Sequence, residues 1–119
     1  MSNKILSRLS LAALITAGMA GGAAMATAQD DLAGTYSKYY ESIRVSELCR
    51  DTKIDDAGWR KIATYIDGKV NHEIDAGERL TLIETAKTDA RKLVDAKGCS
   101  HQLVQDLLKY YDDNLATQL

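Results

Sequence analysis

The sequence contains no proline and no phenylalanine, and only one tryptophan, two histidines and two cysteines. With no proline, nothing in the chain interrupts a helix by removing a backbone donor. So few histidines and cysteines leave little room for metal or nucleophile motifs. There is no C-x-x-C-H for haem, no H-E-x-x-H zinc helix and no Gly-rich phosphate loop. No serine or cysteine stands in a recognisable nucleophile context, so an enzyme is not expected. No EF-hand loop of the D-x-[DN]-x-[DN]-G type occurs either.

What is present begins at the start of the chain. Lys4 and Arg8 precede an apolar run from Leu9 to Ala17, and Ala26-Thr27-Ala28 supplies small residues before Gln29. This pattern predicts a secretory signal peptide, residues 1–28, cleaved before Gln29 and leaving a single helical domain over 29–119. The run is short and rich in glycine and alanine. It is therefore not expected to span a bilayer, and no membrane insertion is expected after cleavage. A periplasmic or secreted location follows. Cleavage removes two basic residues and no acidic one, leaving 13 basic against 17 acidic, a formal charge of −4. That balance argues against nucleic acid and against anionic membrane surfaces, and it favours cations or basic partners.

In an exported protein Cys49 and Cys99 are expected to form one disulfide. They stand fifty positions apart, which suits a structural staple better than a redox-active pair. A metal site using both cysteines with His72 and His101 is a weaker alternative.

Apolar residues recur at three- and four-residue intervals, so the fold class is all-α, a small bundle of three to four helices stapled by Cys49–Cys99. The first helix is expected from Asp31 to Arg50, with Leu32, Tyr36, Tyr39 or Tyr40, Ile43 and Leu48 inward. Asp55 is the expected N-cap of the second helix, with Ile54 and Trp59 placed as a hydrophobic staple. Trp59, Ile62, Ala63, Ile66 and Val70 form its buried face. Asp75 and Glu78 have capping-box spacing, so a third helix is expected from there to Lys97, its stripe running from Leu80 through Ile83, Ala86 and Ala90 to Leu93 and Val94. Gly77 leaves open one bent helix over 56–97 instead of two. Gly98 is the expected C-terminal cap, and Ser100 the N-cap of a last helix carrying Leu103, Val104, Leu107, Leu108, Tyr111 and Leu115. Of the pairs Tyr39-Tyr40 and Tyr110-Tyr111, one member each is expected in the core.

The candidate site is acidic. Asp67, Asn71, Asp75 and Glu78 follow one another at spacings of four, four and three, which on a continuous or slightly bent helix lines their oxygens along one stripe. His72 and Glu73 flank it, and Asp51, Asp55 and Asp56 gather at the first interhelical loop as a second choice. Converging carboxylate and amide oxygens suit a hard ion such as calcium or a lanthanide. Capping and solvation account for the same acids without a metal. Four ligands leave a shell incomplete, so a metal-dependent homodimer is one expected partner arrangement and another periplasmic protein the other.

The leader, the mature length and the pair Cys49 and Cys99 resemble, in outline, the periplasmic acid-stress chaperones of enteric bacteria. In class the chain is also similar to the small periplasmic proteins with which methylotrophs handle lanthanides. Neither resemblance carries over a residue role. The first expectation is thus a hard-cation carrier or chaperone, and the alternative a metal-free chaperone or protein-binding module.

Overall fold

In the computed structural model, residues 31–70 and 72–119 are described; the expected signal peptide lies outside them, as does Asn71. Among the described residues the chain forms four helices and no strand. Helix α1 covers residues 31–50. It is followed by α2 (Asp56–Lys69), α3 (Ala76–Lys97), α4 (Gln102–Asn114) and a final 3-10 turn, Ala116–Gln118. None of these helices is long and apolar enough to cross a membrane.

Local chemistry sets the boundaries. Beyond α1, Asp51 takes a positive φ of 55°, a conformation that aspartate tolerates better than most residues. The chain then folds back, with Thr52 N–H donating to Ser46 O and the hydroxyls of Ser46 and Thr52 2.6 Å apart. Asp55 caps α2 through Oδ1, which accepts from Gly58 N–H at 2.7 Å. Asp75 does the same for α3, accepting from Glu78 N–H at 2.8 Å. Residues 56–97 are therefore two helices: α2 stops at Val70 and α3 restarts at Ala76, with Gly77 in its first turn. Gly98, at φ 84°, ends α3 with its N–H on Val94 O. The cap of α4 is His101 and not Ser100. The helix starts one residue later than expected, which brings His101 Nδ1 to Leu103 N–H at 3.1 Å.

Helix α1 is buried more completely than a one-faced helix. Tyr36, Tyr39, Tyr40, Ser42, Ile43, Val45 and Ser46 are all buried. Both members of the Tyr39-Tyr40 pair are thus in the core, because neighbouring helices cover α1 on more than one side. Tyr39 packs edge-on against Tyr65 of α2 and tilted against Tyr110 of α4, while Tyr40 packs on Tyr36. The larger cluster joins these rings to Ile62, Ile66 and Val70 of α2, Ala86 of α3, and Tyr111 and Leu115. A second cluster unites Val45, Ala90, Val104, Leu107 and Leu108, with Cys49, Leu93 and Val94 against it. Cys49 and Cys99 form the disulfide there, their Cα atoms 5.7 Å apart, tying the end of α1 to the loop before α4.

Two leucines depart from the expected stripes. Leu80 is 62% exposed and Leu103 53% exposed. Leu80 belongs to the early turns of α3, where no element among the described residues covers that side.

Candidate functional site

The break between α2 and α3 decides where the predicted acids go. The oxygens of Asp67, Asp75 and Glu78 belong to two separate helices, so the spacing of four, four and three does not become one helical stripe. Asp67, near the end of α2, is half-buried and accepts from Arg79 Nη1 at 3.3 Å. Asn71 lies outside the described residues. His72, exposed and at φ 57°, donates its backbone N–H to Asp67 O; exposed Glu73 donates its own to Val70 O. Asp75 is engaged as the α3 cap, and Glu78 is exposed one turn in. In the second group, Asp55 caps α2 and Asp56 occupies its first turn, while Asp51 turns the chain after α1. Among the described residues, no three histidines, cysteines or carboxylates converge in a way that holds a metal ion.

What the structure does assemble beside the junction is a groove. It has a volume of about 290 Å³, and α1, α2 and α3 all contribute to it. Tyr36 and Tyr40 come from α1, Ala63 and Asp67 from α2, and Ala76, Arg79, Leu80 and Ile83 from α3. The hydrophobic register of each helix brings these residues together. Tyr36 and Tyr40 are one turn apart on α1, Ala63 and Asp67 one turn apart on α2, and Ala76, Leu80 and Ile83 follow at four and three on α3.

The charged pair shapes the electrostatics of this groove. Burial pushes the Tyr36 phenol above its ordinary value, and Asp67 adds to the rise, while the Tyr40 hydroxyl and Arg79 oppose it. Tyr40 is pushed up first by burial, then by the Tyr36 hydroxyl and Asp67, again against Arg79. Both phenols therefore remain neutral donors and acceptors beside an ion pair of zero net charge. Arg79 carries one further feature. Its Nε is buried and has no hydrogen-bond partner among the described residues. A buried donor left unpaired costs about 1–3 kcal/mol.

Sequence reasoning found Asp67 but not Arg79, Tyr36 or Tyr40 as its neighbours. The twelve-residue separation of Asp67 and Arg79 spans a chain reversal, and no periodicity crosses one. The visible signal was Leu80, an apolar residue beside a charged one close to a cap. No protein-family model, curated protein or solved structure matches the chain.

Proposed function

We propose that this chain is an exported, non-enzymatic protein-binding module that takes an apolar segment of a partner into the groove between α1, α2 and α3. The observation that carries the reading is a groove shared by three helices in which Leu80, 62% exposed, stands beside the part-exposed Asp67–Arg79 pair. A monomer gains little from leaving Leu80 in water at the edge of this groove. A peptide segment fits that groove. Its apolar side chain covers Leu80, Ile83 and the alanines, and its carbonyl offers an acceptor to the guanidinium. Because Asp67 balances the charge of Arg79, the groove suits an uncharged amide better than an isolated ion.

The test is selection of short peptides on the oxidised domain from a random display library, followed by NMR titration. The selected peptides should shift the Arg79 side-chain signal and the Leu80 methyls. Arg79→Met should weaken them by about tenfold or more, the loss of one hydrogen bond to a charged group. The cation reading is tested in the same series with calcium and terbium. Saturable ion binding that disappears in Asp75→Asn with Glu78→Gln, together with peptide binding indifferent to Arg79 and Leu80, would replace the peptide reading with the hard-cation one.

A further inference from the structure

We propose that the open groove between α1 and α3, lined by Arg44, Lys87, Thr88, Arg91, Lys92 and Asp95, binds a phosphate group, either free or carried on a lipid head. The groove has a volume of about 350 Å³ and gathers four cations against one carboxylate. It does so in a domain whose own charge balance is negative, so the concentration is local and runs against the whole.

Ion pairing leaves these clustered cations only weakly engaged. Elsewhere on the surface, Arg50 meets Asp112 at 2.7 Å and Lys109 meets Asp113 at 2.8 Å. In this groove Arg44 reaches Glu47 only at 3.6 Å, and Lys87 reaches Glu84 at 4.0 Å. Arg91 and Lys92 have no ion pair among the described residues, although Asp95 stands four and three positions further along the same helix. Lys87 and Arg91 are one turn apart on α3, a like-charge spacing that destabilises a helix unless an anion lies between them. An arrangement of like charges that repels itself is one that an anion would relieve.

The chemistry selects phosphate over a lone carboxylate. Two guanidiniums on different helices, Arg44 on α1 and Arg91 on α3, offer planar forks from two directions. The ammonium groups of Lys87 and Lys92 add point charges. A carboxylate fills one fork, whereas the oxygens of a phosphate can accept from both forks and from a lysine together. The weak contacts to Glu47 and Glu84 are partly solvated and yield readily to a more highly charged acceptor.

The experiment uses the oxidised domain at low ionic strength. Inorganic phosphate is titrated while the arginine side-chain NMR signals are followed, and co-sedimentation is measured with vesicles of phosphatidylglycerol and of phosphatidylcholine. Saturable shifts at Arg44 and Arg91, weakened by added sodium chloride, are expected with phosphate or with the anionic vesicles. Phosphate binding assigns the free anion, and vesicle binding without phosphate binding assigns the head group. Arg91→Gln with Lys92→Gln should weaken the interaction by about tenfold or more, and the swap Arg91→Lys with Lys92→Arg should restore most of it. Arg60→Gln with Lys61→Gln removes the same charge from α2 and should leave binding unchanged; circular dichroism confirms that each variant is folded. An equal loss in both neutralised variants would reduce the effect to net charge, and binding to neither probe would remove the site; either result overturns the proposal.

Discussion

At the scale of single residues, burial acts on ionisable groups whose sequence positions look ordinary. Glu41 lies on α1 beside a groove that also holds Lys38, Leu93, Leu103, Asp106 and Leu107. Burial raises its pKa first and Asp89 raises it further, while Lys38 works against both. A carboxyl raised in the folded state favours folding while protonated. Its contribution is therefore fully present below its ordinary value of 4.5 and is lost as pH rises through the higher folded value. Glu41→Gln should accordingly raise the melting temperature at neutral pH, with a gain that shrinks as the solution is acidified. Thermal melts of both proteins across that range check it. The phenols behave as a group. Tyr36, Tyr39, Tyr40 and Tyr111 are each pushed above 10.0, chiefly by burial. For an acid raised in this way, stability is intact below pH 10.0 and declines as pH climbs beyond it. Spectrophotometric titration should show these four ionising only as the fold opens, with the tyrosinate signal and the loss of helical dichroism rising together.

At the scale of elements, the helix boundaries rest on caps, and the caps differ in how visible they were. Asp55 and Asp75 were legible because a short acceptor stood directly before a run of apolar residues at helical spacing. Asp75→Ala should cost about 1 kcal/mol in chemical denaturation, with the α3 amides fraying first in hydrogen exchange. The α4 cap differs from the expected one for a physical reason. Serine is the commoner N-cap type, but the turn after Gly98 sets the register, and it places the His101 ring and not the Ser100 hydroxyl against Leu103 N–H. His101→Ala should therefore destabilise the protein by about 1 kcal/mol, and Ser100→Ala should leave it within experimental error. The same junction chemistry dissolved the acidic stripe. Once α2 ends at Val70, Asp67 answers to Arg79 on the neighbouring helix and not to Asp75 in sequence.

At the scale of the whole molecule, a small core is reinforced by one covalent tie. The disulfide closes a loop of fifty residues around the α1–α3 region. In the chain-entropy model such a loop contributes on the order of 4 kcal/mol, a large share of the total stability of a domain this size. Reduction with a thiol should lower the guanidinium midpoint strongly, and the second cluster, which holds Cys49, should lose protection before the first. Ile62 of α2, fully buried in the larger cluster, tests that cluster: Ile62→Ala should cost about 3 kcal/mol.

The helical class, two of the N-caps and the Cys49–Cys99 pairing were all written in the sequence, because periodicity, capping and cysteine spacing act over short stretches or need no geometry beyond proximity, whereas the split of 56–97 into two helices was decided only by the structure. Which apolar positions stay in water was not, and Leu80 and Leu103 show why: a stripe states which side of a helix is apolar, not whether another helix covers it. The partners of charges were equally hidden. Asp67 and Arg79 meet across a chain reversal, and Arg44 shares a groove with Arg91 of a different helix. Both surfaces exist because α1 is enclosed by the helices that follow it, and the angles at which those helices cross are decided by packing among all of them together.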